Sequence, residues 1–156
     1  YGLENFLKKA EEFGVSGTVI PDLPYEMSQK YEPIFKKYNK SNITFVAPTT
    51  PKERIKTLVE NSSKFIYMVA YAGITGSGRE EDLSQIIENI REYSQTPLYI
   101  GFGIDEKTCK EKSKNLDGVI VGSAFVKHLL DDSLNNNEKI KKISSIAKEI
   151  KQKINE

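Results

Sequence analysis

Leu98-Tyr99-Ile100-Gly101-Phe102-Gly103-Ile104 and Val119-Ile120-Val121-Gly122-Ser123-Ala124 are two short apolar runs, each ending in glycine. The same kind of run occurs three times before them, as Thr18-Val19-Ile20, Ile43-Thr44-Phe45-Val46 and Phe65-Ile66-Tyr67-Met68-Val69. All are rich in β-branched and aromatic residues and are apolar throughout, without period-2 alternation. Such runs suit strands covered on both faces, as in a parallel sheet. Amphipathic stretches of helical length separate them. Residues 3–13 place Leu3, Phe6, Leu7 and Ala10 on one face, and residues 25–38 carry Met27, Tyr31, Ile34, Phe35 and Tyr38. Residues 51–61 carry Ile55, Leu58 and Val59, and residues 82–93 carry Leu83, Ile86, Ile87 and Ile90.

The helix boundaries carry their own signals. Thr50-Pro51-Lys52-Glu53 reads as an N-cap, a proline at the first helical position and a capping-box glutamate. Asp105 is a second cap candidate, and Gly14 and Gly17 bracket the exit of the first helix. A short helix follows Ser123, and a polar joint, residues 131–137, leads to a last helix striped with Ile140, Ile143, Ile146, Ile150 and Ile154. The order is a helix, then repeating strand–helix units, so the fold class is α/β. Two architectures accommodate it: a doubly wound open sheet, and part of a (β/α)8 barrel, whose complete form needs about 200 residues or more. Glycine motifs ending two consecutive strands favour the barrel, where phosphate sites recur after the last two strands.

The 156 residues carry 23 Lys+Arg against 22 Asp+Glu, with 38% hydrophobic and 29% charged residues. That excludes a disordered or collagen-like chain. It also gives no broad electrostatic case for nucleic acid or an acidic membrane. No run approaches the roughly 18 apolar residues of a membrane span, and no signal segment opens the chain. The lone cysteine, Cys109, excludes an intrachain disulfide framework and suits a reducing, cytoplasmic setting. No low-complexity linker divides the sequence, so residues 1–156 read as a single domain. The chain starts at Tyr1 directly before a helical pattern, which reads as part of something longer.

In either architecture ligands bind at the C-terminal strand ends. Gly101-Phe102-Gly103 and Gly122-Ser123 offer backbone N–H groups there, and Ser123 opens a helix, which favours an anion. The alternative is that these glycines only make tight turns and Ser123 only caps. Residues 70–78 hold Gly73, Gly76 and Gly78 and read as a lid or as a plain surface connection. Asp22 is the one carboxylate directly at a strand end. It reads as an active-site acid, base or orienting group, or as a turn residue bonded to nearby backbone N–H groups. Tyr67 lies inside a strand and reads as core. His128 reads as a partly exposed surface residue, and Cys109 as an apolar helix position. No His/Cys cluster has metal-ligand spacing.

Taken together, Gly14–Pro24, Val46–Pro51, Phe65–Gly76, Gly101–Ile104 and Asp117–Ala124 resemble, in order, the α subunit of tryptophan synthase. The resemblance covers essentially the whole chain, from the third helix of that family's barrel onward. It implies a partial (β/α)8 TIM barrel, strands 4 to 8 with their helices. It implies retro-aldol cleavage of indole-3-glycerol phosphate to indole and glyceraldehyde 3-phosphate, in tryptophan biosynthesis. The implied partner is the β subunit of an α2β2 complex; pyridoxal phosphate belongs to that partner, and no cofactor or metal to this chain. Gly76, Gly103, Gly122 and Ser123 match the phosphate-binding positions, and Thr75 matches a lid threonine. Val19, Val46, Tyr67, Phe102 and Ile120 match positions walling the indole pocket. Asp22 and Pro24 match a turn near the β-subunit contact.

The same resemblance places the family's catalytic glutamate and aspartate ahead of the segments matched here. The 156 residues are therefore expected to bind phosphate, and indole at most, without useful turnover. Two other readings stand beside this one. Another phosphate-binding barrel enzyme, such as an epimerase or isomerase, needs a catalytic group at one of these strand ends, and only Asp22 qualifies. A non-catalytic binding module needs none.

Overall fold

The computed structural model describes residues 1–69 and 83–156. Helix α1 (Leu3–Glu12) buries Leu7 and Ala10. It ends where Gly14, at φ 69°, lets its own N–H reach Glu11 O and the Val15 N–H reach Ala10 O. Next come β1 (Gly17–Thr18), α2 (Tyr25–Lys37), β2 (Ser41–Asn42) and β3 (Thr44–Val46). After them lie α3 (Lys52–Val59), β4 (Ile66–Val69), α4 (Ser84–Tyr93) and β5 (Leu98–Gly101). The chain closes with α5 (Cys109–Lys112), β6 (Gly118–Ile120), α6 (Ser123–Leu129) and α7 (Asn136–Ile154).

Every strand pair is parallel, and the strands lie side by side in chain order. The expected second strand, residues 43–46, begins at Thr44, and an unexpected short strand, residues 41–42, precedes it. Residues 41–42 pair with β1, residues 44–46 pair with β4, and at the break Ile43 donates to Thr18 O at 2.9 Å. Two short sheets, β1-β2 and β3-β4-β5-β6, are thus joined by one continuous run of chain. A doubly wound sheet reverses its strand order at a switch point. Here the order never reverses, and with right-handed crossovers every helix falls on one side. That is the arrangement of a partial (β/α)8 barrel.

The two sides of the four-stranded sheet differ chemically. Val46, Ile66, Met68, Leu98 and Ile100 are at most 1% exposed and share one cluster with Ile55 and Val59 of α3, Ile86, Ile87 and Ile90 of α4, and Ile150 of α7. At roughly 1.5–3 kcal/mol for each fully buried large aliphatic side chain, this helix-facing layer is the main apolar contribution to stability. The alternate residues Phe45, Tyr67 and Tyr99 are register partners on the other side. There Phe65 stacks on Tyr99 at 5.1 Å between ring centroids, and Phe45 lies against Tyr67 at 5.0 Å. The strands therefore do alternate, but between aliphatic and aromatic residues rather than between apolar and polar ones.

Three local expectations are corrected. Val19 and Ile20 lie beyond β1, because the chain turns there, closed by Leu23 N–H to Ile20 O at 3.2 Å. Thr50 does not cap α3: its hydroxyl accepts from Ala47 N–H at 3.0 Å, and Pro51 precedes the helix. Val121 follows the end of β6 rather than lying in it. Asp105 does cap the turn before α5, its carboxylate accepting from Lys107 N–H and Thr108 N–H at 3.0 and 2.9 Å. Among the described residues no helix is long and apolar enough to cross a membrane.

The strand starts are tied by Asp117. Its carboxylate accepts the Leu98 N–H at 2.6 Å and pairs with Arg91, while its own N–H donates to Leu98 O at 3.0 Å. Arg91 also donates to Thr96 O at 3.2 Å. Burial pulls the Asp117 carboxyl upward, but the hydrogen bonds from Arg91 and Leu98 outweigh it and hold the group below the usual aspartate range. Replacing Asp117 by alanine leaves the N–H of fully buried Leu98 unmet, so about 1–3 kcal/mol of stability is expected to be lost at neutral pH. A depressed carboxyl contributes its stability above the unfolded pKa, about 3.9, and loses it as pH falls through the folded value. The gap between denaturant melts of wild type and Asp117→Ala should therefore narrow as pH falls below about 4, leaving the part due to the Leu98 N–H, which a neutral carboxyl still meets; a gap independent of pH would show that charge plays no part.

Candidate functional site

The loops after β5 and β6 are neighbours, because Gly101 and Ile120 are register partners at the ends of adjacent strands. Beyond β5, Phe102 and Gly103 both take positive φ, 72° and 63°. For glycine this conformation is free. For a phenylalanine it is strained by roughly 1–3 kcal/mol, and such strain persists only where the surroundings fix it. Ile104, 3% exposed, pins the far side of the loop into the core. The Gly103 carbonyl is held from the α5 side, with the Thr108 hydroxyl at 2.9 Å and the Lys112 ammonium at 3.0 Å.

Beyond β6, Gly122 precedes α6 and its carbonyl accepts from Phe125 N–H and Val126 N–H at 2.9 and 3.1 Å. Ala124, 5% exposed, anchors the first turn. Gly122 and Ser123 themselves are exposed. A methyl group added at Gly122 would meet nothing within 4 Å, so packing does not require glycine there. The glycine leaves the backbone open to solvent, as a group approaching the main chain would need.

The aromatic side of the sheet leads into these loops. Phe102 stands edge-on to Tyr67, with ring centroids 6.3 Å apart, and is itself 56% exposed. Tyr67 sits directly over Gly101: a Cβ on Gly101 would fall 2.1 Å from the Tyr67 hydroxyl oxygen. Burial pushes the Tyr67 phenol up, so the hydroxyl keeps its proton at neutral pH. Ile120, in register with Gly101, shares this side.

The sequence candidates divide accordingly. Gly103, Gly122 and Ser123 come together at two adjacent strand ends; Tyr67, Phe102 and Ile120 line the sheet surface beneath them. Val19 is 51% exposed in the turn after β1. Val46 is not brought to this side. It is 1% exposed, in register with Met68, and packed with Ile55 and Val59 in the helix-facing cluster. Gly76, Thr75 and the lid expectation at 70–78 lie outside the described residues. Asp22 is exposed and makes no side-chain hydrogen bond to any described residue, so the turn it sits in is closed by backbone alone. Cys109 is fully buried and free. Among the described residues no cluster of His, Cys, Asp or Glu could hold a metal ion. A cavity of about 400 Å³ lies elsewhere, between α2 and α3, lined by Ser28, Phe35, Asn42 and Leu58 among others and by none of these candidates.

Phe45, Phe65 and Tyr99 on the aromatic side, and Thr108 and Lys112 behind the loop, were not legible as site residues from their types alone. The available signal was the spacing of the rings. Phe65 and Tyr67 flank Ile66, and Tyr99 lies between Leu98 and Ile100, so aromatic and aliphatic side chains alternate.

Comparison with known proteins adds relationship to geometry. The family described as "Tryptophan synthase alpha chain" matches residues 1–155. A protein of that name from Wolinella succinogenes is 53% identical over 155 residues, spanning 99% of this chain and 61% of the relative. One from Prochlorococcus marinus subsp. pastoris is 39% identical over 156 residues, spanning 97% of this chain and 55% of the relative. Among solved structures, the tryptophan synthase subunit alpha of Campylobacter jejuni superposes with a TM-score of 0.83 at 38% identity, covering 94% of this chain and 59% of that one. A structure of the tryptophan synthase α2β2 complex from Pyrococcus furiosus gives 0.80 at 25% identity, covering 97% and 61%. The chain spans about three fifths of the length of these relatives.

Proposed function

The chain belongs to the tryptophan synthase alpha chain family, and from that premise we propose that its 156 residues carry the phosphate-binding and indole-facing part of a site that cleaves indole-3-glycerol phosphate. The observation that supports this most is the juxtaposition of Gly103 with Gly122 and Ser123 at neighbouring strand ends, above an aromatic surface. The proposed roles follow from chemistry. Main-chain N–H groups at Gly103, Gly122 and Ser123 suit a phosphate dianion. Gly76 is a further proposed donor and Thr75 a proposed lid contact. The rings of Tyr67 and Phe102, with Ile120 and Val19, suit a flat apolar indole. Phe45 extends that surface, while Val46 supports it from behind.

Family membership also supports a β subunit as the partner, with pyridoxal phosphate held on that subunit rather than here. The match over residues 1–155 leaves nothing in favour of an unrelated barrel enzyme.

The test is a titration of the chain with glycerol 3-phosphate, followed by amide NMR. Shifts are expected to concentrate at Gly103, Gly122 and Ser123 at millimolar ligand, and added indole is expected to perturb Tyr67 and Phe102. A folded chain whose strand-end amides do not move would end the phosphate reading.

A further inference from the structure

Amide cradles hold phosphate best when a positive charge lies close by, because partial charges alone leave most of the dianion uncompensated. Gly103, Gly122 and Ser123 carry no such charge. Directly behind Gly103 stands Lys112, at the last position of α5, with its ammonium 3.0 Å from Gly103 O. It has no carboxylate partner among the described residues, whereas the neighbouring Lys110 is paired with Glu156 at 2.9 Å. A Cβ on Gly103 would lie 3.0 Å from the Lys112 nitrogen, so the ammonium is against the glycine itself and not merely near the loop.

The loop needs such a hold. Phe102 is strained at φ 72°, and a strained segment keeps its shape only where neighbours fix it. The Thr108 hydroxyl is one neighbour, but its single proton is shared: the oxygen lies 2.9 Å from both Gly103 O and Asp105 Oδ1. The Lys112 ammonium has three protons, so it can bond Gly103 O continuously and still present charge to solvent. Because the peptide is planar and trans, fixing the Gly103 carbonyl on the α5 side turns the Ile104 N–H to the opposite side.

We propose that Lys112 is a positioning residue for the phosphate loop: its ammonium fixes the Gly103 carbonyl and supplies the positive charge that the neutral cradle of Gly103, Gly122 and Ser123 lacks. The proposal rests on the phosphate reading above and deepens it. Lys112 acts through Gly103 and across a short gap rather than by direct contact.

The experiment titrates inorganic phosphate into the 156-residue chain and three variants, Lys112→Met, Lys112→Arg and Lys110→Met, reading the Gly103, Gly122 and Ser123 amides by NMR. Lys110→Met removes the same charge from the same helix without touching the loop. A unit charge within a Debye length at intermediate dielectric predicts about a 5- to 10-fold weaker Kd for Lys112→Met. Lys112→Arg should stay within about 2-fold of wild type, because guanidinium keeps both the charge and the donors. Lys110→Met should remain within about 2-fold as well. The Gly103 amide of Lys112→Met should also shift before phosphate is added. Wild-type chain without any phosphate-dependent shift overturns the phosphate reading, and this proposal with it. Wild-type binding that Lys112→Met leaves unchanged, that Lys112→Arg fails to restore, or that Lys110→Met weakens equally, overturns the proposal alone.

Discussion

Replacing Gly101 by alanine is expected to cost the chain about 2–3 kcal/mol, a large share of the roughly 5–15 kcal/mol that ordinarily separates folded from unfolded protein. The reason is steric and local. Gly101 has ordinary backbone geometry, so no conformational freedom is lost. The new methyl would instead lie 2.1 Å from the Tyr67 oxygen and 2.5 Å from its ring carbon Cζ. Tyr67 cannot simply step aside. Phe45 packs on one side of its ring and Phe102 stands edge-on to it. Moving the ring breaks both contacts and disturbs the strained turn at Phe102. A partner substitution isolates the cause. Tyr67→Leu alone should also destabilise, through the space it leaves. The double variant Gly101→Ala/Tyr67→Leu should be less damaged than the sum of the two singles, by about 1–3 kcal/mol, as expected for residues in direct contact. Equilibrium denaturation of all four proteins measures this. Effects that add to within about 0.5 kcal/mol would show that the clash is not what makes Gly101 glycine. Any substitution at 101 should also disturb the proposed indole surface, because Tyr67 belongs to it.

That pair illustrates what the sequence could and could not show. The strand–helix alternation, the glycine-ended strands and most helix limits were readable, because each depends on residues within one turn or one strand. The apolar runs at 43–46, 65–69 and 98–100 indeed became parallel strands. What local reading missed was the division of labour between the two sides of the sheet. Tyr67 read as core because it stands in an apolar run, and only the family resemblance set it, with Val46, at the indole pocket. Register decides between them: Val46 pairs with Met68 and faces the helices, while Phe45 pairs with Tyr67 and faces away. Register is a relation between strands and has no mark in either strand alone. The same holds for Gly118, whose missing side chain makes room for the Tyr99 ring: a Cβ there would approach two ring carbons to 3.2 Å. Thr50 is the opposite case. Its sequence pattern was a sound cap signal, but the Thr50 hydroxyl found Ala47 N–H first, and Pro51 needs no donor partner at the helix start. Asn135, which read only as part of a polar joint, forms the full capping box with Glu138 before α7.

The chain by itself is expected to bind phosphate but to give no cleavage of indole-3-glycerol phosphate above background. The proposed reaction breaks the bond between the indole ring and the glycerol phosphate chain. It needs a group that protonates the ring carbon and a base that takes the hydroxyl proton of the departing chain. The family resemblance assigns those tasks to a glutamate and an aspartate in segments ahead of those matched here. The sequence candidate for that task is Asp22, which lies in the turn after β1, and its surroundings are those of a surface group. It is exposed, in a turn closed by Leu23 N–H to Ile20 O, and no described residue donates to its carboxylate. Nothing orients it, and nothing excludes water from it. General acid–base assistance contributes about 10²–10⁴-fold for each group, and groups that act as a unit are not replaced piecemeal. Phosphate and indole contacts can hold and orient the substrate, but they neither protonate the ring carbon nor take the hydroxyl proton. Glyceraldehyde 3-phosphate release by the purified chain, with phosphate binding followed in the same preparation, separates the two properties. Binding with no product is the expected outcome. Steady product formation that Asp22→Asn abolishes would instead make Asp22 a catalyst, and would move the chemistry to the turn after β1.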